Sequence, residues 1–527
     1  MQKTVALFIL LFLTFSYSPI HTNEWQSSGY QDSIAHIRNA SGVPAVGAVL
    51  LLDGKIHFLG VSGIRKWGAN VKTSTHDRFQ LGSVTKPLTA TLTAILVSKG
   101  IISLHMTMEQ AFPEWKNSMH SAYRKVTIRQ LLTHTSGLPY NPRTEPGDEW
   151  RNTIPEMKAR RREFARIAFL DTPEATPGTK YVYGGGTIVL AAIMEKITGK
   201  LWEELLREHL LLPLGMTSTG FGAMSKKNQI TDNYEHSMRN DEIVPVEPDR
   251  SFSEEVHAPA GRNVYSSLKD VAKWMQLLLP YSQSPYMPYN TDRVNLALRE
   301  TFKSDPVGST TPGWFYTTQE WSRGLLLFHY GDNGKSMSAL YFAPGLNSGF
   351  AVFTNVAGKN GGKAIKALVD YFSSQIDRHF EGKKIPARLE NFQKSISRGK
   401  KVTASNTYGN MISSYGPAMI NDGNETTRWA TDADVRQAWM EIDLERSHTI
   451  TGFFIHEAYC FRISRYKILV RNRTSEEWRI IHNGTQVGYY CQFHVKPVNA
   501  RYIRWQIDDI DGNLGPTVSE FQVFGRE

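Results

Sequence analysis

The chain has 527 residues, 41% hydrophobic and 21% charged, which is ample for a large core and too long for a single domain. Its formal net charge of +10 is not organised into arginine-rich stretches interleaved with aromatics, so nucleic acid is not an expected partner. A basic surface kept for solubility explains the charge, with acidic glycans or an anionic cell surface as alternatives.

Taken in order, the chain opens with Lys3 and an apolar run over residues 5–13. That run is shorter than the roughly 20 residues a membrane helix needs. It fits a secretory leader over 1–22, which predicts a periplasmic or extracellular protein without a transmembrane anchor. The only cysteines are Cys460 and Cys491. In an exported protein they leave a disulfide and two buried thiols equally open.

Residues 45–52 and 55–61 read as strands around the turn Asp53-Gly54, a strong hairpin signal. Gln80-Leu81-Gly82-Ser83-Val84-Thr85-Lys86-Pro87 then reads as an extended segment, a glycine turn and a helix running to Lys99-Gly100. The spacing puts Ser83 and Lys86 on one helix face. A serine is a poor nucleophile until a neighbour takes its proton, and a lysine can do so only if burial or nearby positive charge lowers its pKa. The same Ser-x-x-Lys spacing recurs at Ser266–Lys269, Ser397–Lys400 and Ser464–Lys467, so spacing alone decides nothing. The context of Ser83 does: a glycine before it and a long amphipathic helix after it.

Residues 126–139 read as a helix closed by Gly137 and Pro139, followed by Pro177-Gly178-Thr179, Tyr181-Val182-Tyr183-Gly184-Gly185-Gly186 and a helix to Gly199. Strands return at 325–330, 336–342 and 349–355, then a helix over 363–379. Strands at both ends enclosing helices predict an α/β sandwich on an antiparallel sheet. Residues 381–400 are basic and polar and read as a linker. From 401 to 527, short alternating strands at 439–444, 450–455, 466–470, 478–482, 502–507 and 521–524 predict an all-β sandwich. By themselves Tyr183 reads as a core aromatic before a glycine turn, and His329 as a structural histidine ending an apolar strand.

Together, Gly82-Ser83-Val84-Thr85-Lys86, Leu131-Leu132-Thr133-His134-Thr135-Ser136-Gly137, Pro177-Gly178-Thr179, Pro213-Leu214-Gly215-Met216 and Ala260-Gly261 resemble the serine β-lactamase-like superfamily. The group resembled is that of class C β-lactamases, D-alanyl-D-alanine peptidases and related esterases. The resemblance implies a domain over 23–380 with Ser83 as acylated nucleophile, Lys86 as its proton acceptor, and Tyr183 as partner base and proton donor to the leaving group. It implies an oxyanion hole from the backbone N–H groups of Ser83 and Asp332. His329-Tyr330-Gly331 stands where lactamases have Lys-Thr-Gly, and Gly185 where they have the asparagine of Tyr-x-Asn. Gly185 and Gly331 would therefore line the substrate site, and catalysis would need no cofactor.

Residues 401–527, through Asp422-Gly423-Asn424-Glu425-Thr426-Thr427-Arg428-Trp429 and Ser519-Glu520-Phe521, resemble the discoidin or coagulation-factor C-type module. That resemblance implies a polysaccharide partner, Glu457 and Arg462 as sugar contacts, and a structural calcium on Asp422, Thr427 and Glu520. The expected function is an exported serine hydrolase acting on small-molecule or glycan-linked acyl esters. The alternatives are a D-amino-acid peptidase or β-lactamase, and a glycan-binding protein with an inactive hydrolase domain.

Overall fold

The computed structural model describes residues 28–141, 153–248, 252–279, 310–381, 395–424, 427–458, 462–484, 487, 490–510 and 514–526. The expected leader, most of the basic linker, Cys460 and the side chain of Cys491 lie outside the described residues.

The first domain is a seven-stranded antiparallel sheet between helices. Its elements are α1 (Ser28–Ser41), β1 (Ala45–Leu52), β2 (Lys55–Gly63), α2 (Thr85–Ser98), α3 (Met157–Leu170), α4 (Gly186–Thr198), α5 (Leu268–Leu278), β3 (Thr310–Thr311), β4 (Trp314–Gln319), β5 (Gly324–Asp332), β6 (Met337–Ala343), β7 (Ser348–Thr354) and α6 (Gly358–Phe380). The strand order is β2-β1-β7-β6-β5-β4-β3, so the N-terminal hairpin joins the last strand of the domain. The hairpin and the strands β5 to β7 follow the sequence expectation. The edge strand β3 and its neighbour β4 were not anticipated, and the helix expected over 126–139 shortens to Ile128–Leu132.

The continuous apolar run of β1 is explained by burial on both sheet faces. With a period of two, Val46, Ala48, Leu50 and Leu52 meet Ile34 of α1 and Phe372 of α6, while Val49 and Leu51 face the cluster containing α2 and α5. Helix α2 is buried along nearly its whole length. Each large apolar side chain enclosed there, such as Leu88, Leu92 or Ile95, contributes about 1.5–3 kcal/mol. Three of its threonines are compatible with such a setting because their hydroxyls are satisfied, while Thr85 Oγ1 is buried without a partner among the described residues. Thr91 donates to Pro87 O (2.9 Å), Thr93 to Thr89 O (2.8 Å), and Thr89 to Pro259 O (2.9 Å), the last tying α2 to the segment before Gly261.

The second domain contains β8 (Lys401–Ala404), β9 (Ala438–Glu457), β10 (Ile463–Arg471), β11 (Arg479–Gly484), β12 (Tyr490–Ile510) and β13 (Thr517–Arg526). The strands expected at 439–444 and 450–455 are one long strand, β9, bent where Glu445 takes a left-handed φ of 69° and the register shifts. Its first half lies between β8 and β12, its second between β13 and β12. A separate core with Trp429, Met440, Trp505 and Phe521 fills this domain. The domain starts earlier than the sequence suggested. Ser397 is buried, its hydroxyl accepts from Val523 N (2.9 Å), and Ile396 N donates to Val523 O, so 395–400 are part of the β domain rather than linker.

Candidate active site

Three chain segments meet at Ser83. Gly82 has a φ of 53°, and a Cβ there would lie 2.7 Å from Asp332 N. Gly261, at φ 118°, lies so close that a Cβ would come within 2.3 Å of Gly82 O and 2.7 Å of Ser83 Cα. Only glycine combines these backbone angles with these approaches. Gly82–Val84 is a turn of 3-10 helix, and α2 begins at Thr85, so Ser83 precedes the α-helix instead of opening it. The Gly82 turn rests on the end of β5, against Asp332 N. Gly331 itself packs on Leu81 O and the Ser338 hydroxyl, which donates to that carbonyl (2.7 Å).

Two side chains converge on Ser83 Oγ. Lys86 Nζ is 3.1 Å away and also donates to Ala260 O (2.5 Å); the Tyr183 hydroxyl is 2.9 Å away. Lys86 is wholly buried, and that burial lowers its pKa to about 7. Burial pushes Tyr183 the other way, up to about 12, against the hydrogen bond to Ser83. Near neutrality Lys86 is therefore partly an unprotonated amine beside a phenol that keeps its proton. That is a base and an acid on one oxygen.

His329 lies near the end of β5, buried, with Nδ1 2.7 Å from Tyr330 O. The carbonyl fixes the proton on Nδ1 and leaves Nε2 with a lone pair. Burial, then the charge of Lys86, lowers its pKa to about 3, so His329 is neutral and carries no cation into the site. Gly185 caps α4, its N–H donating to Pro139 O (3.0 Å), and a Cβ there would come within 2.7 Å of the Phe164 ring. Phe164 occupies the space from which an asparagine side chain would start. Wholly buried Arg161 bonds Glu195 of α4 and Glu203, fixing α3 against α4 behind the site.

Sequence reasoning gave no role to several residues that surround Ser83. Ala260 O anchors Lys86. Tyr140 stacks on Tyr183 (6.2 Å between centroids) and on His257 (6.4 Å). Phe315 lies between Tyr181 (6.0 Å) and His329 (5.2 Å). His134 packs 4.6 Å from the Tyr183 ring; it sits in a motif quoted for the family resemblance, which was the available signal.

The family model described as Beta-lactamase matches residues 31–371. The chain belongs to the beta-lactamase family. That family is generally one of serine hydrolases, and an F5/8 type C domain matches residues 401–520. Among curated proteins, penicillin-binding protein 4 of Amycolatopsis lactamdurans is 28% identical over 357 residues, 65% of this chain and 87% of its own length. Protein flp of Staphylococcus aureus strain COL is 21% identical over 363 residues, 68% of each chain. Among solved structures, SurE has a TM-score of 0.52 at 20% identity, covering 66% of this chain and 75% of its own. The octameric penicillin-binding protein homologue from Pyrococcus abyssi has a TM-score of 0.52 at 19% identity, covering 91% and 100%. At these identities the structures establish the beta-lactamase-type fold alone.

In the second domain, the two expected sugar contacts are engaged in the protein's own loops. Glu457 is wholly buried, and its Oε1 accepts from Arg462 N (2.6 Å) and Ile463 N (2.9 Å). The Arg462 guanidinium donates to Gly515 O and the Thr517 hydroxyl. Trp429 is core, and Trp439 lies under the Arg504 guanidinium at 4.6 Å.

Of the three expected calcium ligands, Asp422 is exposed, with Oδ1 accepting from Asn424 N (2.8 Å) and Oδ2 from the Thr427 hydroxyl (2.7 Å). Glu520 is wholly buried, its Oε2 accepting from Gln522 Nε2 (2.5 Å). Hard oxygens of this kind suit calcium. Among the described residues, no three His, Cys, Asp or Glu side chains gather as a metal cluster, and no helix is long and apolar enough to cross a membrane.

Proposed function

We propose that the chain is an exported carboxylic ester hydrolase working through an acyl-enzyme, with acylated polysaccharide as substrate. The observation that carries this reading is the convergence of buried Lys86 Nζ (3.1 Å) and the Tyr183 hydroxyl (2.9 Å) on Ser83 Oγ, with burial shifting Lys86 down to about 7 and Tyr183 up to about 12. Ser83 Oγ attacks the ester carbonyl carbon while its proton passes to neutral Lys86. The amides of Ser83 and Asp332 hold the oxyanion. Collapse breaks the carbon–oxygen bond, Tyr183 gives its proton to the departing alkoxide, and the Lys86 ammonium reprotonates Tyr183. Water then attacks the acyl-enzyme by the same transfers in reverse, releasing the acid and free Ser83. Neutral His329 offers no partner for a substrate carboxylate, and the rings of Tyr140, Tyr181 and Phe315 suit an uncharged acyl or sugar group. The leader-like run at 5–13 supports export.

The F5/8 type C domain supports polysaccharide binding, which raises the local concentration of substrate. A chain ending at Glu381 should keep its kcat/KM on p-nitrophenyl acetate, because the two domains have separate cores, and should lose retention on acetylated polysaccharide. Release of acetate from that polysaccharide should fall with retention. Equal retention of both chains across a glycan panel refutes the targeting role. In this reading calcium, held by Asp422, Thr427 and Glu520, would crosslink a loop to β13. Calcium should then raise the melting temperature of the full chain, and Glu520→Gln should remove the effect; an unchanged melting curve in excess calcium rejects the site.

A D-amino-acid peptidase or β-lactamase is the second reading. It is favoured by the penicillin-binding protein among the relatives and by a SurE structure with D-Leu, at 18% identity and TM-score 0.51.

A further inference from the structure

We propose that His134 is a positioning residue for Tyr183, gripping it from the backbone on both sides and from the ring face. This rests on the reading of Tyr183 as the proton donor to the leaving group. The two amides flanking Tyr183 both donate to His134: Val182 N to its carbonyl (2.7 Å) and Gly184 N to its Nδ1 (3.3 Å). The imidazole also lies 4.6 Å from the Tyr183 ring at an interplanar angle of 36°, and 5.7 Å from Tyr181.

The backbone is bent to make this possible. His134 is a non-glycine residue at φ 57°, in the left-handed region, at the point where the short helix Ile128–Leu132 has ended. Such strain persists only where the surroundings over-determine it, and it collects at functional sites. The side chain is 4% exposed, and among the described residues its buried Nε2 has no hydrogen-bond partner. Because Nδ1 accepts from Gly184, the ring must be neutral with its proton on Nε2. Burial, followed by the charge that Lys86 carries when protonated, keeps it so. A protonated ring would present two donors, one of them to the Gly184 N–H, and would release the grip. A buried orphan N–H is a cost that packing alone does not require, and an apolar ring would avoid it. The acceptor on Nδ1 is what histidine supplies here and a phenyl ring cannot.

The test separates positioning from mere support of the fold. General acid assistance matters most when the leaving group is a poor one, and it is commonly worth about 10²–10⁴ in rate. kcat/KM is measured on p-nitrophenyl acetate and on ethyl acetate for the full wild-type chain, His134→Gly, His134→Asn and Tyr183→Phe. Glycine removes the ring without opposing the left-handed backbone. Asparagine tolerates that backbone and retains an acceptor for Gly184. The expected result is that Tyr183→Phe and His134→Gly each lose at least about tenfold more on ethyl acetate than on p-nitrophenyl acetate, while His134→Asn recovers most of that excess. If His134→Gly fails to fold, His134→Asn decides, by whether its smaller loss is still greater on ethyl acetate. Equal loss on both esters for the His134 variants, with a sloped response from Tyr183→Phe, overturns the positioning role. Equal loss for Tyr183→Phe itself overturns the Tyr183 reading, and this inference with it.

Discussion

Ser83→Ala should reduce kcat/KM on p-nitrophenyl acetate by at least about 10⁴-fold, and a fluorophosphonate should label the wild-type chain and not the variant. The covalent step needs an oxygen that contacts both Lys86 and Tyr183, and among the four Ser-x-x-Lys pairs only Ser83 has that arrangement in the described structure. Lys86→Met and Tyr183→Phe should each cost several orders of magnitude, and the losses should not add, because the three groups act as one unit. The pH profile follows from the same geometry. Lys86 is a base only when unprotonated, so kcat/KM should rise as pH increases through about 7. Tyr183 keeps its proton up to about 12, so no falling limb from it should appear below pH 10 or so. Near-wild-type turnover in Ser83→Ala would overturn the assignment of Ser83 as nucleophile, whereas a wild-type chain that neither hydrolyses the ester nor takes the label would leave a glycan-binding chain with an inactive domain.

The second large effect is a preference for ester over lactam. A carboxylated bicyclic lactam asks for a cation and for an amide contact. His329 is neutral, and the space beyond Gly185 is filled by Phe164. Each missing orienting contact is worth about 1–3 kcal/mol when a polar group is left unpaired. Nitrocefin turnover should therefore lie about two to four orders of magnitude below that of a lactamase in the same family. An aryl or sugar acetate needs only the nucleophile, its acid and base, and the oxyanion amides. The comparison is kcat/KM for nitrocefin against p-nitrophenyl acetate on one preparation. A clear preference for nitrocefin would put the peptidase or lactamase reading first. A Gly185→Asn substitution cannot be used to restore the amide contact, since the Phe164 ring blocks even its Cβ.

Much of this protein was legible in the sequence because the information is local or periodic. The turn Asp53-Gly54 and the alternation around it fix the hairpin β1–β2, with Asp53 and Gly54 both at positive φ. The spacing of Ser83 and Lys86 and the apolar length of α2 mark the turn that carries Ser83 and the buried helix that follows it. The change of texture after residue 400 separates two domains, since short alternating strands cannot share one pattern with long buried helices.

What remained hidden depends on residues far apart in the chain. The acidity of Lys86 comes from its enclosure and its carbonyl contact from Ala260, 174 residues away; no local pattern encodes either. Gly185 reads as a missing asparagine until Phe164 of α3 is seen to fill the same space. Glu457 and Arg462 are implied as sugar contacts by the module resemblance, and only the folded loops show that both are hydrogen-bonded within the domain. His134 reads as one letter of a motif until Val182 and Gly184 are found donating to it. Sequence alone determined which chemical groups exist and which near neighbours share a face. The protonation state of those groups, and the partner that holds each, follow from burial and from contacts across long sequence separations, which only the tertiary structure supplies.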